Sequence, residues 1–208
     1  MKIDPSGIVC ARKPTRPSLI RYLTHPQVQI DPAVPVPLWT LSAGGRKRVY
    51  ALAMAGWLSG TTEIIASGEP KALETAEILA ASFGLDVTVR EAMHENDRSG
   101  TGYLPAAEFE VVASAFFATP AVSVRGWEPA LAAQRRIVRE IETVLEREPQ
   151  GDVLVVGHGA VGTLLLCHYL KIPISRAQDQ LGGGGNYFTF LWHDRHVLHS
   201  WRPMEMSA

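Results

Sequence analysis

The run Asp152–Val156, Asp-Val-Leu-Val-Val, lies between two glycines and passes within two residues into a helical-period segment, Gly159–Leu170. A short β-branched run without polar alternation reads as a strand covered on both faces. A helix directly behind such a strand is the repeating unit of a parallel sheet. This one feature limits the fold more than any other in the chain, because it demands further strands on either side and helices above and below.

Upstream segments meet the demand. Leu19–Thr24 reads as a first strand, closed by His25-Pro26. Residues 28–38 hold three prolines and cannot form a regular helix. A helix is expected from Leu41-Ser42-Ala43 to about Leu58, with Ser42 as its N-cap. Thr62–Ala66 reads as a second strand and Lys71–Phe83 as its helix, with Leu73, Ala76, Ile78 and Leu79 on the apolar face and Gly84 as C-cap. Asp86–Arg90 alternates as a third strand. Residues 92–105 are polar, glycine-containing and irregular. Helices are expected over Ala106–Phe117 and over Pro129–Arg147, the latter with a first-turn proline. Beyond the fourth strand and its helix, Gly182–Gly185 leads into a terminal hairpin, Tyr187–Trp192 and His196–Trp201, turning at Asp194-Arg195. Met1–Ser18 reads as an N-terminal arm and residues 19–208 as one α/β domain, a mostly parallel sheet flanked by helices. No repeat and no interdomain linker is visible.

Composition narrows the function. With 46% hydrophobic and 20% charged residues, the chain has the material for a core, so wholesale disorder is excluded. Twenty Lys and Arg balance twenty-one Asp and Glu, which leaves no basic footprint for nucleic acid. The longest nearly apolar stretch, Tyr50–Leu58, falls far short of the roughly 20 residues that span a bilayer. No apolar segment follows the scattered basic residues at the start, as a secretory signal would require. Cys10 and Cys167 are too few for a disulfide framework or a Cys-rich zinc site. The expectation is a cytoplasmic protein that uses neither membrane nor nucleic acid; the oligomeric state cannot be read.

In open α/β sheets ligands bind beyond the C-terminal ends of the strands. His25 follows the first strand, Ser67–Lys71 the second, Glu91–Arg98 the third and His158 the fourth. One rim therefore collects two histidines, a lysine and at least one carboxylate. An imidazole can serve as base or nucleophile and forms a labile bond to phosphorus. Cations and the N–H groups of the helix start at Gly159 can hold equatorial oxygens, and Glu95 can protonate a departing alkoxide. Nothing in this set calls for a metal or another cofactor.

Leu19–Gln27 (LIRYLTHPQ), residues 66–80 (ASGEPKALETAEILA) and Val153–Gly159 (VLVVGHG) together resemble the histidine phosphatase superfamily, with its phosphoglycerate-mutase-like fold. The resemblance spans about residues 19–192. It places the phosphoryl-accepting histidine on His25, the second histidine on His158 and the helix-start arginine on Lys71, with Ala72, Glu74, Thr75 and Ala76 in register behind it. The proton donor falls on Glu95, with Glu91 as the alternative. Two departures stand out. Thr24 replaces the arginine expected before His25, and Pro26 replaces the following glycine. Lys71 is a point charge without the guanidinium fork, so the pocket is one full charge less cationic than the family pattern. Thr24, Lys71 and Arg98 are the expected substrate contacts, with Arg98 preferred over Arg46 and Arg21 as the source of a compensating charge.

The resemblance implies a metal-independent phosphohydrolase acting on a phosphorylated small molecule or other phosphomonoester. Its mutase variant is less favoured, and the substrate is not specified. The second reading is an impaired relative that binds a phosphorylated or anionic ligand without turnover. A remote third is a dinucleotide-binding oxidoreductase, suggested by the Gly-x-Gly-x-x-Gly spacing of Gly157–Gly162. An acidic strand end should follow that helix, and Asp179 lies in a loop instead. His193, His196 and His199 read as surface residues because neighbours three apart in a strand face opposite ways. His168 reads as a packing residue, the charges of residues 129–147 as a solvated helix face, and Tyr103, Phe109, Phe116 and Phe117 as either an apolar entrance or packing.

Overall fold

The computed structural model describes residues 16–206, so most of the expected N-terminal arm, with Cys10, lies outside the described residues. Six strands form one sheet: β1 (Leu19–Thr24), β2 (Thr61–Ser67), β3 (Val87–Arg90), β4 (Asp152–Gly157), β5 (Asn186–Leu191) and β6 (Val197–Pro203). Their order is β3-β2-β4-β1-β5-β6. The first four run parallel, while β5 is antiparallel to β1 and to β6. Among the described residues there are five α-helices, besides short 3-10 turns: α1 (Ala43–Met54), α2 (Pro70–Phe83), α3 (Ala106–Ala118), α4 (Ala130–Val144) and α5 (Gly159–Tyr169).

The doubly covered strand is β4, buried at every position. Its side chains divide with period two: Leu154 and Val156 join a core with α1 and α2, and Val153 and Val155 join another with α3, α4 and α5. That division is the three-layer arrangement. At one edge of the sheet, β3 is the least covered of the parallel strands; its burial does not follow the alternation of its sequence, since Val89 is exposed beside Thr88.

Ser42 caps α1 by accepting the Gly45 N–H at 3.1 Å. A Cβ on Gly45 would stand 2.3 Å from the Gln27 carbonyl oxygen, so the glycine lets the helix start press on the loop behind His25. The expected end of this helix moves from Leu58 to Met54, because Gly56 turns left-handed at φ 79°. Pro129 takes the N-cap position of α4, one residue earlier than expected. His168 corrects another expectation: it is exposed on α5, with only its ring edge tilted against Tyr169. No helix among the described residues is long and apolar enough to cross a membrane.

Candidate active site

The C-terminal ends of β1, β2 and β4 and the segment after β3 meet at one rim, as the parallel order requires. His25 leaves β1 with its amide donating to Gly157 O at 3.0 Å, which binds the two histidine-bearing turns together. The rings of His25 and His158 lie 5.3 Å apart, edge to face.

His25 Nδ1 is 2.9 Å from the Pro26 carbonyl oxygen. A carbonyl only accepts, so Nδ1 carries the proton and Nε2 presents its lone pair. Burial, with a smaller contribution from the Lys71 charge, pushes the His25 pKa down to about 4, so the ring is uncharged at neutral pH. The back of the residue is clasped by the glycine run. Gly182–Gly185 all have positive φ, Gly185 N–H donates to His25 O at 3.0 Å, and a Cβ on Gly184 would fall 2.3 Å from that oxygen. These glycines bring a second stretch of backbone against the His25 carbonyl.

His158 is fully buried. Its amide donates to Tyr22 Oη at 3.1 Å, and Tyr22 Oη donates to His158 O at 3.2 Å. Its Nε2 lies 2.8 Å from Ser67 Oγ, while its Nδ1 has no partner among the described residues. Burial holds this imidazole well below its ordinary pKa. The glycines around it answer to packing. A Cβ on Gly157 would strike the Tyr22 hydroxyl at 2.3 Å, one on Gly162 the Tyr22 ring at 2.5 Å, and one on Gly159 Gln180 at 2.4 Å. The spacing that resembles a dinucleotide fingerprint is thus explained by tyrosine and glutamine packing.

Glu95 occupies the start of α5. Its carboxylate accepts N–H bonds from Ala160 at 3.2 Å and Val161 at 3.1 Å, and a third from Asn96 at 3.0 Å. Burial alone would raise its pKa, but the Arg98 charge and the Asn96 N–H hold it below the ordinary value. The alternative, Glu91, is exposed and packs against Gly68, away from the cavity.

The other expected contacts divide. Lys71 is buried at the cavity wall, its Nζ paired with the Glu69 carboxylate and 3.2 Å from Val36 O. Arg98 lines the cavity with its guanidinium 5.3 Å above Phe109 and 5.7 Å from Trp127. Arg46 is drawn to Glu74 and Arg21 to Asp152, so of the three arginines considered only Arg98 reaches the cavity. Thr24 corrects its expectation. It is fully buried, its hydroxyl donates to Gln180 Oε1 at 2.7 Å and accepts Asn186 N–H at 3.0 Å, and it does not line the cavity beside His25.

Sequence reasoning missed three side chains. Glu69 bonds the Glu95 N–H with its Oε1 at 2.8 Å. Gln180, on a late loop, stands between Thr24 and Gly159. Arg136, read as part of a solvated face, is nearly buried. It donates to the carbonyls of Ala92 and His94 at 2.8 Å each and of Glu95 at 3.3 Å, and pairs with Glu128. It straps the Glu95 segment to α4. None carries a local signal, since all three are brought in by remote elements.

The cavity over His25 has a volume of about 650 Å³, within the range of small-molecule sites; Gly159 and Ala160 line it, while His158 lies buried behind them. Trp39, Phe109, Phe116 and Trp127 form an apolar wall, and Arg176, tied to Glu110, closes one side. Among the described residues no group of His, Cys, Asp and Glu has the arrangement of a metal centre.

A three-layer α/β fold with paired histidines at the sheet's C-terminal rim defines a phosphoglycerate-mutase-like protein. The family model of the histidine phosphatase superfamily, branch 1, matches residues 34–196, and the chain belongs to that superfamily. The match contains Lys71, Glu95 and His158 and begins after His25. Among solved structures, a mycobacterial glucosyl-3-phosphoglycerate phosphatase aligns with TM-score 0.74 at 19% identity, covering 90% of this chain and 100% of that one. YhfR of Bacillus stearothermophilus aligns at 0.73 and 17%, covering 88% and 95%. The phosphoserine phosphatase of Entamoeba histolytica, in complex with 3-phosphoglyceric acid, aligns at 0.71 and 15%, covering 91% and 100%. At these identities the likeness is one of fold. No curated protein matches the chain.

Proposed function

We propose that this chain hydrolyses a phosphomonoester through a phosphohistidine on His25. One observation carries the reading: an uncharged imidazole whose Nδ1–H is tied to the Pro26 carbonyl, leaving Nε2 without a partner among the described residues at the cavity wall. Nε2 attacks phosphorus and the phosphorus–alkoxide bond breaks, while Lys71, Arg98 and His158 hold the transferring oxygens. Glu95 is ionised in the free site. A phosphoryl group beside it adds negative charge, raises its pKa and lets it take up the proton that it then gives to the leaving oxygen. The carboxylate next deprotonates water, which displaces His25 from phosphorus and releases orthophosphate. The need for that proton favours mildly acidic pH.

The fold neighbours bound to phosphate and to phosphoserine support a phosphorylated small molecule as substrate. The aromatic wall favours a leaving group with an apolar body. The test is p-nitrophenyl phosphate hydrolysis between pH 4 and 8, with trapping of the phosphoenzyme, on wild type and His25→Ala. Turnover and an acid-labile phosphoryl label that both vanish in the variant are the expected result. Full turnover by His25→Ala would overturn the assignment. A second reading, binding of an anionic ligand without turnover, draws support from the burial of Thr24 and the pairing of Lys71 with Glu69. It predicts orthophosphate binding by a folded, inactive wild type.

A further inference from the structure

Glu69 is the N-cap residue of α2, yet its side chain makes no cap hydrogen bond. It turns instead into the rim. Its Oε2 pairs with Lys71 Nζ, and its Oε1 accepts the Glu95 N–H at 2.8 Å and lies 3.8 Å from His158 Nε2. An ammonium, a backbone N–H and an imidazole, from three different strand ends, thus converge on one nearly buried carboxylate. They are the kinds of donor that a transferring phosphoryl group requires. The charges bearing on the two histidines are Lys71 and Arg98 against Glu69 and Glu95, and both rings are uncharged. These four charges cancel, and removing Glu69 would leave a net charge of +1.

We propose that Glu69 is an internal counter-anion that occupies the phosphoryl subsite and limits its affinity for phosphate. An incoming phosphoryl group takes Lys71 only by displacing this carboxylate. The side chain has room to move, because it borders an adjoining cavity of about 630 Å³ between residues 32–37 and residues 94–103, separate from the His25 cavity, whose wall it does not form. Glu69 thereby selects for ligands whose remaining contacts, against the aromatic wall, offset that displacement. The proposal rests on reading the rim as a phosphoryl site.

Orthophosphate binding to the full chain is measured by calorimetry and by thermal shift, for wild type, Glu69→Gln and Glu69→Asp. The Gln variant should bind phosphate about tenfold more tightly or better, since a full negative charge beside the ligand is gone. Phosphate should also raise its melting temperature more than that of the wild type. Replacing Lys71 by Met in the Gln background should abolish the gain. If the Gln variant does not fold, the Asp variant decides: its shorter side chain cannot reach Lys71 and Glu95 together, so it too should bind more tightly than wild type. Unchanged or weaker binding in the folded variants, or none in any protein, overturns the proposal. Hydrolysis is scored separately. Wild-type turnover with unchanged affinities leaves the phosphatase reading standing without the counter-anion, and tighter binding without turnover does the reverse.

Discussion

The two ends of β4 both bury charge, and they do so in opposite ways. At its start, Asp152 receives Arg21 at 2.8 Å and Arg16 at 2.9 Å, plus the Leu19 N–H at 3.1 Å. At its far end, His158 stands uncharged among Lys71, Arg98, Glu69 and Glu95, its Nδ1 without a partner among the described residues. The first cluster is fixed by strand register, since Arg21 pairs with Leu154, two residues past Asp152. The second is assembled from the loops and the helix start that follow the strands. Charge buried on strands holds the sheet together, whereas charge buried on loops is left with spare valence that a ligand can use.

If that contrast is right, the two ends should fail differently. His25→Ala should cut phosphomonoester turnover at least about a thousandfold, about 4 kcal/mol of barrier, while costing about 1 kcal/mol of stability or less. Steady-state kinetics and denaturant unfolding of the same preparation would read both. Asp152→Ala strands the buried Arg21 guanidinium and should cost about 3–5 kcal/mol of stability. Turnover per folded molecule should stay within about twofold of wild type. A large kinetic defect in the Asp152 variant would erase the distinction.

Titration separates the ends further. The folded His25 pKa, about 4, lies below the unfolded value of 6.5, so the unfolded chain binds the extra proton between them. Stability is therefore retained above pH 6.5 and falls as pH drops toward 4, at up to about 1.4 kcal/mol per unit for each such histidine. Asp152 has a lowered carboxyl pKa, despite burial, because Arg16 and Arg21 hold it ionised. Its contribution persists above its unfolded value of 3.8 and is lost only as pH falls further. Unfolding free energy measured from pH 7 to 3 should decline in those two stages, and His25→Asn should flatten the first by about one proton.

The smallest effect concerns the strap on the Glu95 segment. Arg136→Lys keeps the charge but cannot span three carbonyls and Glu128. It should lower kcat about tenfold, leave KM within about threefold and shift the acid limb of the pH profile, because the position of Glu95 changes while the Lys71 side does not. A fall in stability with an unchanged pH profile would make Arg136 a structural residue only.

Much of this was legible in the chain. The unbroken apolar run Val153–Val156 and the helical stripes set the layers, because burial on both faces of a strand leaves no alternating polar positions in it. His25, Glu95 and His158 could be brought to one rim from strand ends alone, since parallel strands deliver their C-termini to the same side. Local chemistry also located Ser42 as a cap and Gly84 as a terminator.

The sequence by itself thus determined the order of elements, the sheet class and the rim. Tertiary structure alone decided the charge of the site. Thr24 looked like a contact and is consumed by Asn186 and Gln180, and Arg136 looked solvated and holds the Glu95 segment. Glu69 looked like a helix-start residue and pairs with the lysine beside the histidines. Periodicity reports which way a residue points relative to its own element. Which partner it meets there depends on segments tens of residues away, and a buried charge takes its meaning from that partner.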